Sequence, residues 1–205
     1  MDMSTTSLRL SKVAEADFPS RFGHFRIYGF EGVYAGRREE AVALKMGDLA
    51  GPPPLVRLHS QCLTGDVFHS LRCDCRAQLE LALQSISAEG RGLLIYEHKE
   101  GRGIGLLNKL RAYQLQDQGA DTVEANEQLG FEADLRNYRL PAEVALYFGL
   151  RRVRLLSNNP SKIKAFERVG IEVVERIPCQ VPALEHSEAY LRTKKEKLGH
   201  LLEGF

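Results

Sequence analysis

Leu93-Leu94-Ile95-Tyr96, then Glu100-Gly101-Arg102-Gly103-Ile104-Gly105, then the stretch from Leu106 carry the pattern that decides the fold. Four consecutive apolar residues read as a buried strand and the glycines as a tight loop, while Leu106, Leu110 and Tyr113 fall on one face of a helix. The plan returns further along. Val153-Arg154-Leu155-Leu156 leads through Ser157-Asn158-Asn159 into a helix with Pro160 in its first turn and Gly170 as its stop, and Ile171–Ile177 alternates as another strand. Strands alternating with helices predict an α/β fold, a mixed sheet flanked by helices in a single domain spanning residues 1–205.

Around this centre, Pro52-Pro53-Pro54 stiffens the approach to a strand, Leu55–His59, and Leu79, Ala82, Leu83 and Ile86 recur at helical spacing from Ala77 to a stop at Gly90. The first fifty residues read as short strands, Phe25–Ile27 and Val42–Leu44, in a subsidiary layer. Pro141 opens a helix through Phe148, and Glu188–Leu202 reads as a charged amphipathic helix on the surface. Strand order has no signature in the sequence.

The chain has 205 residues, 43% hydrophobic and 27% charged, enough to bury its own core, and its formal net charge is +1. A near-neutral chain without a basic stripe draws neither nucleic acid nor membrane, so an anionic ligand needs a local cationic cluster. No long apolar run and no secretory layout at the N-terminus point to a cytoplasmic protein. In a reducing compartment closely spaced cysteines bind metal more often than they pair.

Cys62, Cys73 and Cys75 are so spaced, between a strand and a helix. Three thiolates suit zinc and leave one position open, which favours a catalytic site; a fourth ligand from His59, His69 or Asp74 would make it structural. Cys179 reads as an ordinary thiol. The glycine loop with Arg102, the Asn158-Asn159-Pro160 turn with Lys162, and Arg57 could together grip phosphates, since loops before helix N-termini aim N–H groups at anions. Gln78 and Glu100 carry the hydrogen-bonding groups to read a purine edge. Asp134 and Arg136 stand two apart as either a surface ion pair or an acid–base pair beside a metal.

The blocks Arg57-Leu58-His59-Ser60-Gln61-Cys62-Leu63-Thr64-Gly65-Asp66 and Leu71-Arg72-Cys73-Asp74-Cys75 resemble the zinc signature of GTP cyclohydrolase II. Further blocks of that family follow in order, from Glu100–Leu106 through Asp121–Asn126 and Asn158-Asn159-Pro160 to Thr193-Lys194 and Gly199–Leu202. The resemblance implies a homodimer that converts GTP to 2,5-diamino-6-ribosylamino-4(3H)-pyrimidinone 5′-phosphate, formate and pyrophosphate, with zinc and Mg2+, at the entry to riboflavin synthesis. It implies zinc on Cys62, Cys73 and Cys75, Asp134 as proton acceptor and Tyr113 as assistant in the ring chemistry. It implies GTP contacts from Arg57, Leu58, His59, Ser60, Gln61, Gln78, Glu100, Gly101, Arg102, Thr122, Ser157 and Lys162.

Arg136 matches a residue assigned as nucleophile on the α-phosphate, although a guanidinium with a pKa above about 12 is better suited to a cationic clamp. Gln61 stands where the family usually has Glu, Arg76 where it has Gly, and Ser157 where Thr is common. Two other readings share the resemblance: a paralogue feeding a specialised pteridine or azapteridine pathway, and a nucleotide-binding regulator that has lost turnover.

Overall fold

In the computed structural model, which describes residues 8–34, 36–182 and 185–204, the apolar runs of the sequence lie side by side at the centre of one sheet. In chain order the elements are β1 (Arg9–Ser20), β2 (Gly23–Tyr34), β3 (Arg37–Met46), β4 (Leu55–Ser60), α1 (Leu63–Asp66), α2 (Cys75–Glu89) and β5 (Gly92–Glu97). They continue with α3 (Leu106–Asp117), α4 (Thr122–Gln128), α5 (Arg139–Tyr147), β6 (Arg152–Leu156), α6 (Pro160–Arg168), β7 (Glu172–Ile177) and α7 (Glu188–Glu196). The strand order is β1-β2-β3-β5-β4-β6-β7, antiparallel from β1 to β5 and parallel from β5 to β7.

Parallel strands covered on both faces need near-continuous apolar sequence, and that is what β4 and β5 carry. Val56, Leu58, Leu93, Ile95, Val153 and Leu155 face α5 and α6, where Leu140, Val144 and Phe166 complete a core. Leu55, Leu94 and Leu156 face α2 and its Ala82, Leu83 and Ile86. Burying each large side chain contributes roughly 1.5–3 kcal/mol. The same alternation turns Arg57 away from Leu58 and toward Gln78 on α2.

The helix ends follow their local chemistry. Gly90 caps α2 in the left-handed region at φ 67°, and the Asn159 side chain accepts from Ser161 N–H at 2.9 Å to open α6 behind Pro160. The expected helix from Pro141 begins at Arg139, which leaves the proline in the first turn where it displaces no intrahelical bond.

Other expectations are corrected. The N-terminal region is not a set of short strands but three long ones that extend the main sheet, β3 pairing with β5. Most of β1 is exposed, so its length is set by the ladder from Arg9 opposite Val33 to Ser20 opposite Gly23 rather than by a hydrophobic pattern of its own. The face of α3 with Leu106, Leu110 and Tyr113 does not enter the core: Leu110 is 46% exposed and Ala112 is the buried residue. The C-terminal helix stops at Glu196, short of Leu202, as the chain turns through Gly199 (φ 63°) and Leu201 N–H donates to Asn158 O at 2.8 Å. Nor does it lie free on the surface, since Leu191, Thr193 and Lys194 are buried.

β4, β5 and β6 end at Ser60, Glu97 and Leu156, and the loops that follow them gather at one edge. Ligands of open α/β sheets bind there, outside the carboxyl ends of parallel strands. No helix among the described residues is long and apolar enough to cross a membrane.

Candidate active site

Cys62 ends the turn after β4, and Cys73 and Cys75 flank the start of α2. Their sulfurs lie within 4.8 Å of one another, Cys62 and Cys73 at 3.7 Å. Zinc–sulfur bonds of about 2.3 Å at tetrahedral angles put sulfurs about 3.8 Å apart, so the trio fits a zinc ion. Among the described residues no fourth Cys, His, Asp or Glu joins the group: His59 is 3.1 Å from Asp66 Oδ1, and Asp74 is bound to Lys194 and Gln78. Gly65 supports the same conclusion, because a Cβ there would stand 2.9 Å from the Cys73 sulfur and 3.1 Å from that of Cys62.

Proton occupancy also fits a cation. Hydrogen bonds from Cys73 and Cys75, reinforced by Lys109, hold the Cys62 thiol far below its ordinary range. The thiolate formed there pushes Cys73 up to about 12 and Cys75 well above the usual value. One negative charge shared by three sulfurs is what a dication would replace with three thiolates. Lys109 Nζ donates to Cys62 Sγ at 3.1 Å and to Glu100 Oε1 at 2.7 Å, and Glu100 Oε2 accepts from Leu63 N–H at 2.6 Å. Buried Asp66 braces the turn, accepting from Cys62 N–H at 3.0 Å and Tyr96 O–H at 2.7 Å.

The cysteines open into a cleft also lined by Gln61, Glu100, Gly101, Tyr113, Thr122 and Asn126. The Tyr113 hydroxyl is 3.1 Å from Thr64 Oγ1, and burial raises its pKa. Ser60, Cys75, Arg102, Arg136 and Tyr190 form a wall shared with a second lobe. That lobe gathers five basic side chains, Arg57, Arg102, Arg136, Lys162 and Lys194, with Asp74 the one carboxylate among its described lining residues.

Several of these charges lack counter-charges. Arg102 is 8% exposed, and neither Nη1 nor Nη2 has a partner among the described residues. Its φ of 59° is left-handed, a strain of order 1–3 kcal/mol that persists where surroundings impose it. Lys162 Nζ donates to Leu58 O at 3.0 Å and stands 5.3 Å from the ring centre of Tyr138; burial, then Arg57 and Arg136, push its pKa well down. Burial and the surrounding cations lower His200 to about 3, leaving it neutral. Buried unpaired cations are costly, so the lobe suits a polyanion.

Asp134 and Arg136 are joined to each other. Arg136 N–H and Nε–H donate to Asp134 Oδ1 at 3.0 and 2.8 Å, and Nη2 donates to Oδ2 at 2.6 Å. Burial opposes the Asp134 charge, but Arg136 outweighs it and the pKa is lowered. Arg136 lines both lobes, whereas Asp134 lines neither.

Of the remaining sequence-derived positions, His59, Ser157 and Gln78 line the cationic lobe, and Leu58 has its side chain in the core with only its carbonyl turned to Lys162. Arg76 lines neither lobe and braces α2, donating to Glu80 at 2.7 Å and Asp66 O at 2.6 Å. From the sequence, Lys109 and Tyr190 carry no assigned role, and Lys194 is named only within the Thr193-Lys194 block. Helical spacing offers a signal for all three, since Lys109 with Tyr113 and Tyr190 with Lys194 are i,i+4 pairs, with Nζ 5.7 and 5.1 Å from the ring centres.

Residues 11–178 match the family profile described as GTP cyclohydrolase II. The chain is 54% identical over 196 residues to GTP cyclohydrolase-2 of Hahella chejuensis, covering 95% of this chain and 94% of that one. It is 52% identical over 196 residues to GTP cyclohydrolase-2 of Shewanella amazonensis, covering 95% of each. Against the riboflavin biosynthesis protein RibBA of Bacillus subtilis it is 53% identical over 195 residues, 94% of this chain and 48% of that longer one.

Proposed function

The chain belongs to the GTP cyclohydrolase II family, and from that premise we propose that it hydrolyses GTP to 2,5-diamino-6-ribosylamino-4(3H)-pyrimidinone 5′-phosphate, formate and pyrophosphate, the entry reaction of riboflavin synthesis. The observation that carries this reading is the joining of a three-cysteine metal site to a cationic lobe through one shared wall. The base belongs beside the sulfurs and the triphosphate among the cations.

Zinc on Cys62, Cys73 and Cys75 would supply Lewis acidity and one open coordination position. Tyr113, held by Thr64, presents a hydroxyl in the same lobe for hydrogen bonding to the opening ring. Thr122, Gln61 and the backbone of Glu100 and Gly101 border the base. Arg57, Arg102, Ser157 and Lys162 border the phosphates, and Mg2+ accompanies the triphosphate on this reading. Gln78 serves indirectly, its Oε1 accepting from Arg57 Nη2 at 2.7 Å.

Arg136 acts on this reading as a clamp on the departing pyrophosphate. The ion pair with Asp134 gives the two residues one sequence of events: phosphates draw the guanidinium away, and the freed carboxylate accepts a proton. The enzyme is taken to work in the cytoplasm as a homodimer, as the family resemblance implies.

Incubation of the zinc-loaded protein with GTP and Mg2+ tests the reaction. Formate and pyrophosphate release, lost together with zinc in Cys73→Ser, is the expected result. Tight GTP binding without either product would leave a regulator in its place.

A further inference from the structure

Lys194 lies on α7, far in sequence from the cysteine loop, yet it is 8% exposed and lines the cationic lobe. Its Nζ is 3.1 and 3.2 Å from the two oxygens of Asp74, the residue between Cys73 and Cys75. Asp74 has a second partner, Gln78 Nε2, so its charge is not left bare if the lysine departs. Nearby, the buried Arg102 guanidinium has two terminal nitrogens without hydrogen-bond partners among the described residues, and its carbon lies 5.8 Å from the ring centre of Tyr190, one turn before Lys194.

α7 is tied down just beyond its C-terminal end. Lys197 bridges to Asp121 and to Glu124, the latter at 2.9 Å, and Leu201 N–H donates to Asn158 O at 2.8 Å. The helix therefore holds Lys194 over the lobe.

We propose that Lys194 is a polyphosphate-binding residue kept in place by Asp74, and that an incoming polyphosphate takes the ammonium from the carboxylate. The inference rests on the reading of this lobe as the triphosphate site. A phosphate chain carries more charge than one carboxylate and needs several donors, and the lysine's four-carbon stem allows the short swing between them. Asp74 thus spares the free enzyme another buried unpaired cation while competing with the ligand.

Calorimetric titration of the full-length, zinc-loaded protein with inorganic tripolyphosphate and, separately, guanosine tests this. Lys194→Met is expected to weaken tripolyphosphate about 10- to 100-fold, the scale of one lost charged hydrogen-bond partner, with guanosine binding unchanged and Lys194→Arg restoring most of the loss. Asp74→Asn is expected to tighten tripolyphosphate binding several-fold, a gain that damage to the fold does not produce. Unchanged tripolyphosphate affinity in Lys194→Met, or an equal loss for guanosine, overturns the proposal; weaker binding in Asp74→Asn overturns the exchange with Asp74. Absence of GTP turnover by the wild-type protein would remove the assigned reaction, while these titrations would still judge Lys194.

Discussion

The ammonium of Lys109 lies 3.1 Å from the sulfur of Cys62 and 2.7 Å from a Glu100 oxygen. Three thiolates give a dication more negative charge than it needs, and a donor on one sulfur withdraws part of it while fixing that ligand's direction. Lys109→Met is therefore expected to release zinc to a chelator about 10- to 100-fold faster than the wild type, the usual cost of losing such outer support. Equal release rates would assign Lys109 to packing.

Gly65 contacts the same sulfurs from below. A methyl group there would meet two sulfurs and the Cys75 Cβ at 2.9–3.1 Å, with no long side chain able to yield. Gly65→Ala is expected to lower zinc stoichiometry well below one and abolish turnover. Gly29→Ala, where nothing lies within 4 Å, is expected to change neither; elemental analysis of the two proteins decides.

How much of this was legible in the sequence depends on the range of the interaction. β4, α2, β5 and α6 announce themselves through apolar runs, spacing and caps, all local, and the cysteine trio by its spacing. The three long N-terminal strands do not, because β1 gains its structure from β2 rather than from a buried face. α4 was missed although Asp121 and Glu124 form a capping box at its start, a signal four residues long. The Asp74–Lys194 pair had no local trace. It exists because β4 lies between β5 and β6, an order that no short stretch of sequence records.

Lys162 makes substrate affinity depend on pH. In the free protein its pKa is pushed well down by burial and by Arg57, Arg136 and Lys194, with Glu97 opposing. Phosphate beside it favours the ammonium, so the value rises in the complex and binding takes up a proton between the two. Affinity is thus greatest below the free-protein value and falls up to about tenfold per pH unit above it, until the complex's own value is reached. GTP titrations across pH in buffers of different ionisation enthalpy check the uptake, and Lys162→Met, which should bind more weakly without this proton, subtracts the nucleotide's own ionisation.

Asp121 couples stability to the base-side lobe. Its carboxylate accepts from Val123 N–H at 2.7 Å and Glu124 N–H at 3.0 Å, and α4 carries Thr122 and Asn126 into the cleft. Asp121→Ala is expected to cost about 1 kcal/mol and, for a chain of this size, to lower Tm by about 2–4 °C. KM for GTP should rise as the first turn of α4 loosens. Asp121→Ser, which keeps an acceptor, should recover most of both.

Arg136 separates two chemistries. A nucleophilic nitrogen requires a neutral guanidine, but Asp134 and Tyr138 stabilise the charged form and outweigh burial, so its pKa is raised even above the ordinary arginine value. Two hydrogen bonds to Asp134 further occupy Nε and Nη2. A clamp needs the charge and tolerates another cation, whereas a covalent route needs a particular nitrogen. Arg136→Ala is therefore expected to lose about 10²- to 10³-fold in kcat, the typical loss for one preorganised donor, and Arg136→Lys to keep a measurable part of it. Single turnovers with GTP labelled at the α-phosphate, quenched in cold denaturant near neutral pH because an N–P bond is acid-labile, should show no label on the protein by mass spectrometry. A nucleotidyl adduct on Arg136, joined through the α-phosphorus and still carrying the nucleoside, would establish the covalent route under those conditions, and with it a deprotonation that the present ion pair opposes.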